Sequence, residues 1–528
     1  MRNIQIPGRS NILSNKGIAA TSHPLSTLEA ISILKKGGNA IDAAIAASAV
    51  QSVVEPGSTG VGGDCFALIS INGKNVVSFN GSGIAPKKAS LEFFKKKNID
   101  KIELTSPHSV TVPGAVHAWK TMHESYGKLE FEQLFFQAEN YARYGFPIYE
   151  IVSESLKNNI EKLKKNEISR KIFLKNDYLY NFKEIHKNIN LADTLKSIGK
   201  NGINDFYNGY IAQDIVDSLN ELGGCHDIED LNNQNTIVTN SIFHEYKNNL
   251  LHQCPPNGPG VTVLLMMAIL DKFNFKNIKP LSFERLHIQA EVTKIVFEIK
   301  EKMLGDPKSM KIDIKSLISE ENIKNLFEKI SMDKCYMPKN FTITAHPETV
   351  YITVVDKDQN AVSFINSICF AYGSGITTKK TGILLQNRGV NFRLTPGHPN
   401  SINGNKRPLH TIIPGMITTK DLNPLLSFGV MGGQYQPVGQ ANLLQNIFDY
   451  EMNIQEAIDF PRAFCLNDKL YLEKTIPEDI FSKLKKIGHN LIYTSNPLGG
   501  AQAIFVDYKN GVFVGGSDSR KDGCALGI

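Results

Sequence analysis

The stretch "TVYITVVDKDQNAVSFINSICF", residues 349 to 370, constrains the fold of this chain more than any other. Thr349, Tyr351, Thr353 and Val355 alternate with Val350, Ile352 and Val354, and a period of two is the mark of a strand. The polar turn "DKDQ" returns the chain into "NAVSFINSICF", so the two runs form an antiparallel hairpin. The first strand starts abruptly, at a threonine that follows Pro347 and Glu348. Thr349 is either an ordinary strand residue or one that becomes a chain terminus and does chemistry there.

Helical patterns dominate before this point. Ser26 and Glu29 make a capping-box pattern opening a helix over "TLEAISILKKG", and Asn39 and Asp42 open a second, alanine-rich helix whose small residues imply close packing. The glycine-rich turn in "PGSTGVGGDCFALISI" feeds a strand, and "SINGKNVVSFNGSG" reads as a hairpin with Asn-Gly punctuation. Residues 115 to 235 read as mostly helical, and helical patterns resume from about 261 to 330. Beyond Pro338 come short strands, in "GILLQNRG", "HTIIPGMIT", "PLLSFGVMGG", "GGAQAIFVDY" and "GVFVGGSD", with one helix after Gly433. Helices first and strands later indicate a layered α+β architecture.

At 528 residues the chain exceeds the usual single-domain range, so one large interlocked domain or two domains are expected. Hydrophobic and charged contents of 41% and 21% suit a soluble globular protein, and a net charge of +6 spread among acids argues against nucleic acid as a partner. The densest basic run, "LKNNIEKLKKNEISRKIFLKND", reads as a solvated amphipathic helix. Seven dispersed cysteines without a CxxC pair suit buried thiols in a reducing compartment. With no signal-like amino terminus and no long apolar run, the expected location is cytoplasmic, with no membrane partner.

No GxSxG elbow, P-loop or HExxH is present, and "GSTGVGG" lacks the order of a dinucleotide loop and follows a helix. Thr349 could supply the nucleophile if the bond after Glu348 were cut. A freed α-amino group has a reference pKa of ~7.7–8.0, against ~10.4 for a lysine amine, so it is partly neutral at cellular pH. One residue would then combine nucleophile and general base. Separately, "PLLSFGVMGGQYQPVGQ" is an apolar strand ending in Gly432 and Gly433 before a helix. Glycine N–H groups there suit an oxyanion hole, and a turn serving packing alone has the same pattern.

The fragments "GGNAIDAAIAASAVQSVVEPGSTGVGGDCFALI", "SVTVPGAVHAW", "TVYITVVDKDQNAVSFINSICFAYGSGI", "NKRPLHTIIPGM", "MGGQYQP" and "GGSDSRKDGCALG", in this order over nearly the whole chain, resemble the γ-glutamyltranspeptidase family. These are self-cleaving amino-terminal-nucleophile hydrolases. The resemblance implies an α+β four-layer αββα sandwich, one interlocked domain made from a precursor that cuts itself in two. By the register of "VVDKD", Thr349 falls on the processing and nucleophilic threonine. Cleavage between Glu348 and Thr349 would give a mostly helical large subunit, 1–348, and a strand-rich small subunit, 349–528. Gly432 and Gly433 fall on the oxyanion donors, and Ser367 on a second hydroxyl residue that helps hold the free amine. The resemblance calls for no metal or organic cofactor. The partners it implies are a small amide substrate, the two subunits of one precursor, and a second processed heterodimer.

Departures from the family pattern bear on the substrate. Leu91 stands where an arginine would grip an α-carboxylate, neutral Asn391 where an acid would bind an α-amino group, and His410 and Thr411 replace paired serines. Leaving either charge of an amino-acid head group buried and unpaired costs on the order of several kcal/mol. "QNRG" and "LHTIIP" are similar instead to the acylase-like branch that includes oxamate amidohydrolase. Arg388 is a clamp for a small carboxylate or a structural ion pair. His410 is a satisfied histidine or a proton shuttle, and Cys369, in place of the usual asparagine, reads as a buried thiol. The function expected is hydrolysis of a small, oxamate-like anionic amide through an acyl-enzyme. The alternatives are γ-glutamyl transfer or glutathione hydrolysis, and an unprocessed homologue that only binds a metabolite.

Overall fold

The computed structural model describes residue 5 and residues 8–175, 177–338 and 349–528. Two seven-stranded sheets, antiparallel throughout, form its centre. One runs, edge to edge, Cys524–Gly527, Gly17–Thr21, Val350–Asp356, Ala361–Ser367, Asp64–Ser70, Val77–Gly81 and Ile237–Asn240. The other runs Ile12–Ser14, Val512–Ser517, Gly500–Asp507, Pro424–Met431, Pro414–Thr418, Asn249–Gln253 and Ile242–Tyr246.

Three apolar cores define four layers. Ile352 and Val354 face outward into a core shared with the helices Pro24–Lys35, Ala40–Val54 and Ala115–Tyr126. Tyr351 and Val355 face inward and pack with Ile504, Val506 and Met431 of the second sheet. On its far side that sheet packs through Leu426, Phe428 and Val430 against the helices Val261–Leu270, Phe283–Met303 and Gln436–Phe448. The period-two pattern of the 349–355 run thus separates two cores, and the result is an αββα sandwich. All residues of the helix Ala40–Val54 are buried, which its alanines permit, and the Asn39–Asp42 capping box closes its first turn as the sequence predicts.

Strands from either side of residue 349 interleave. Val350–Asp356 pairs with Gly17–Thr21 on one edge and Ala361–Ser367 on the other, and Gly17–Thr21 pairs in turn with Cys524–Gly527. The second sheet likewise mixes strands from both sides, so severing the chain before Thr349 would leave two pieces sharing both sheets.

Three expectations need correction. The first helix begins at Pro24, because the His23 imidazole caps it by accepting from Leu25 N–H; Ser26 instead donates to the Ala47 carbonyl and ties two helices together. "GILLQNRG" is not a strand. Side chains there take up the backbone groups a ladder would need: Gln386 Oε1 accepts from Arg388 N–H at 2.6 Å and Asn387 Oδ1 from Phe370 N–H at 3.1 Å. A short 3-10 turn, Arg388–Asn391, results. The basic run folds as parts of two helices, Glu150–Lys164 and Glu167–Phe173, because Asn166 caps the second by accepting from Ser169 N–H. Among the described residues no helix is long and apolar enough to cross a membrane.

Candidate active site

Thr349 precedes the first residue of a central strand, is buried, and by alternation lies on the inner face with Tyr351. That face meets the strand Pro424–Met431 in a fixed progression. Thr353 Oγ1 donates to Ser427 Oγ at 2.7 Å, and the Tyr351 ring lies on Gly429, where an added Cβ would stand 2.3 Å from Cε2. Moving two residues back on one strand moves two forward on the other. One further step of this progression would set Thr349 against Met431, the residue before Gly432. The two motifs far apart in sequence are thereby brought to the same end of the sandwich.

Gly432 has φ 118° and Gly433 φ 56°, where side chains are strained, and a Cβ on Gly432 would lie 2.8 Å from the Gly499 Cα. The turn continues through Gln434 into the helix Gln436–Phe448. Glycine is equally required at Gly63, where a Cβ would lie 2.4 Å from the Ser367 carbonyl oxygen. The "GSTGVGG" turn therefore serves close backbone packing behind the site.

Ser367 Oγ lies 3.4 Å from Thr349 Oγ1. It accepts from Cys369 N–H at 3.0 Å and from the Arg388 guanidinium at 3.2 Å, which leaves its own O–H as the group to turn toward Thr349. Arg388 is buried, donates also to Thr411 Oγ1 at 2.9 Å, and its Nε lies 3.7 Å from Asp64 Oδ2. Asp64 sits opposite Ser367 on the neighbouring strand, accepts from Gly83 N–H, and takes His410 Nε2–H at 3.0 Å. Burial, aided by the Arg388 charge, pushes His410 down to about 4, so its imidazole is neutral near pH 7. Its Nδ1 makes no hydrogen bond within the described residues. Burial pushes the Cys369 thiol up, as suits an inert core thiol.

A cavity of about 340 Å³ opens beside this network, walled by His410, Thr411, Asn391, Gln434, Lys300 and Arg393 among others. Of the residues expected to bind substrate, Asn391, His410 and Thr411 reach its wall. Arg388 does not; it stands behind Thr411. Leu91 packs with Phe392 in an apolar cluster next to it. Glu348 lies outside the described residues.

The sequence reading missed the cavity's charged floor. Lys300 is buried at the end of the helix Phe283–Met303, with its ammonium 2.5 Å from Gln434 Oε1 and 3.2 Å from Glu301 Oε1. Arg393 pairs with the other Glu301 oxygen at 2.5 Å. Burial pulls the Lys300 pKa down; burial also opposes ionisation of Glu301, but the two cations hold its carboxyl below the usual range. Lys300 and Arg393 thus flank one carboxylate on the inner wall, while Asp100, Lys101 and Glu103 stand on the exposed rim. Nothing in "KIVFEIKEKML" marks Lys300 as buried, beyond its place one turn past Phe297, whose ring lies 4.5 Å from its ammonium.

A four-layer αββα sandwich with a hydroxyl residue heading a central strand fits the class of amino-terminal-nucleophile hydrolases acting on amide bonds. Comparison with known proteins makes this specific. The family description gamma-glutamyltranspeptidase matches residues 27–528, and the chain belongs to that family. It is 35% identical to the glutathione hydrolase-like YwrD proenzyme of Bacillus subtilis (strain 168), over 98% of this chain and 99% of that one. It is 28% identical to the oxamate amidohydrolase proenzyme of Klebsiella pneumoniae, over 98% and 99% of the two chains. Among solved structures, cephalosporin acylase from Bacillus halodurans superposes with a TM-score of 0.94 at 33% identity, covering 100% of this chain and 99% of that one.

Proposed function

We propose that the protein is a self-processing amidohydrolase in which Thr349 is both the processing and the catalytic nucleophile. Thr349 Oγ attacks the carbonyl of Glu348, the peptide shifts to an ester, and water opens it to give chains 1–348 and 349–528. In turnover the freed amine of Thr349 takes the Oγ proton, Oγ attacks the substrate amide carbon, and the N–H groups of Gly432 and Gly433 hold the oxyanion. The amine then protonates the leaving nitrogen, and water releases the acyl group. Proenzymes among the relatives support processing. The observation that carries the reading is the approach of Thr349 Oγ1 to Ser367 Oγ at 3.4 Å, at the head of a central strand.

For the substrate we infer a small amide bearing a carboxylate. Lys300 and Arg393 supply the positive charge, while Arg388, engaged by Ser367, Thr411 and Asp64, positions the nucleophile's partner. Asn391, His410 and Thr411 would contact the acyl group. One observation favours γ-glutamyl hydrolysis or transfer as a second reading: Asp100 and Glu103 line the exposed rim of the same cavity and could meet an α-ammonium. Oxamate ammonia release assayed beside γ-glutamyl anilide turnover separates the two, and brisk anilide turnover with none on oxamate refutes the first. Two further readings go with this one. The seven unpaired thiols suit a cytoplasmic enzyme, and the processed heterodimer is expected to pair with a second copy.

A further inference from the structure

The geometry points to a zinc-binding site formed by His287, Glu291, Cys335 and His489. One ligand atom from each residue lies within 4.8 Å of all the others, and His287, Glu291 and His489 are buried. Two imidazoles, a thiol and a carboxylate are the donor types zinc takes. With Zn–N near ~2.0–2.1 Å and Zn–S near ~2.3 Å, a tetrahedral set needs ligand atoms roughly 3.3–3.8 Å apart. Shifts of about an ångström would therefore close the present arrangement on an ion.

Local structure aims these groups at one another. His287 and Glu291 stand one turn apart on the helix Phe283–Met303, so they share a face. His489 follows Gly488, which ends the helix Glu478–Ile487 at φ 110°. His287 Nδ1 faces His489 Nε2 at 2.8 Å. The remaining nitrogen of His287 bonds the Ser331 carbonyl at 2.7 Å, which directs the Nδ1 lone pair toward the cluster; a metal-bound histidine is usually oriented in this way. Tyr336 N–H donates to the second oxygen of Glu291 and fixes that carboxylate. Leu286, Ala290, Ile480 and Leu484 form an apolar shell on the same helices.

Lys294 sets the competing reading. Its ammonium pairs with Glu291 Oε1 and donates to the Tyr336 carbonyl at 2.9 Å, so it already neutralises the carboxylate. The two imidazole nitrogens hydrogen-bond each other at 2.8 Å and the Cys335 thiol donates to the Ile487 carbonyl at 3.8 Å, contacts that zinc would replace. Zinc would displace one proton from the Cys335 thiol, and for the thiolate and carboxylate to balance the dication Lys294 would have to leave Glu291 or give up its proton as well. On the cleavage reading above, three ligands belong to the large subunit and His489 to the small one, so the ion would staple the cut halves. The same helix carries Lys300, nine residues beyond Glu291 and roughly 13 Å along the axis at 1.5 Å per residue.

The test uses the purified full-length chain, both as wild type and as the uncut Thr349→Ala variant, stripped with a chelator and reloaded with zinc alone or cobalt(II) alone. The expected result is one tightly held zinc per chain in both forms. Cobalt should give intense tetrahedral absorption with a thiolate charge-transfer band. Cys335→Ser should abolish that band, and His489→Ala should weaken zinc affinity by roughly tenfold or more. Because the uncut variant is included, failure of processing does not affect the outcome. Wild-type protein that retains no zinc, or that gives only six-coordinate cobalt spectra, overturns the site whatever the variants do. Equal retention in Cys335→Ser and His489→Ala also overturns it, as adventitious surface binding.

Discussion

Replacing Lys300 with methionine tests the anion assignment, because methionine keeps the apolar stem beside Phe297 and removes only the charge. Glu301 keeps Arg393 at 2.5 Å, so the carboxylate is not stranded, and Gln434 loses one donor. A hydrogen bond to a charged group contributes about 1.5–3 kcal/mol, and the Coulomb attraction at 4 Å with an effective dielectric of 20 is about 4 kcal/mol before the desolvation it must offset. A net loss of about 2–3 kcal/mol is expected, and at 1.4 kcal/mol per factor of ten that is roughly a 30- to 150-fold fall in kcat/KM on a carboxylate-bearing amide. The assay compares that substrate with its neutral carboxamide isostere on the same two proteins. The neutral compound should lose less than about threefold. Equal losses on both would mean that Lys300 supports the turn at Gln434 and does not read substrate charge.

Gly432→Ala places a Cβ 2.8 Å from the Gly499 backbone at φ 118°, so turnover should fall by about 10²–10³, while intact mass reports whether processing survives. Ser367→Ala should slow both self-cleavage and turnover, and Ser367→Thr, which keeps the hydroxyl, should restore them; unchanged rates in the alanine variant would remove Ser367 from the site. Acid should weaken the fold. Burial holds His186, His226, His252 and His410 at about 4 and His23 at about 3, so between these values and ~6.5 the unfolded chain binds more protons than the folded one. Their contribution is complete above pH ~6.5 and is lost as pH falls through that window. Glu29 and Glu55, pushed up to about 7 mainly by burial, act with the opposite sign, but two carboxyls do not offset five histidines. Urea midpoints at pH 7 and pH 5 should show a net loss on the order of several kcal/mol at the lower pH.

The parts of this fold that were legible in the sequence are those where local pattern and tertiary role agree. The alternation from Thr349 to Val355 specified a strand with two distinct faces, which the structure buries in separate cores, and the glycines at 432 and 433 marked the turn before a helix. His23 escaped because an imidazole cap has no strong signature beside Ser26 and Glu29. Lys300 and the half-buried Arg393 escaped because the placement of a charged side chain is decided by neighbours distant in the chain; Glu301, their common partner, looks like one more solvated acid in "EIKEKML". Arg388 was found, but its direction was not, since Asp64, which it faces, lies far from it in the chain. The sequence also showed no ligand cluster, because the residues at 287, 291, 335 and 489 meet only through the packing of two helices and a loop.

The most direct test of the central claim is intact-mass analysis of purified wild type, Thr349→Ala and Thr349→Ser. The wild type should resolve into two chains meeting between Glu348 and Thr349, the alanine variant should stay as one inactive chain of 58.6 kDa, and the serine variant should cut and turn over more slowly. An active wild type that remains a single chain, or an alanine variant that retains full turnover, would contradict the account.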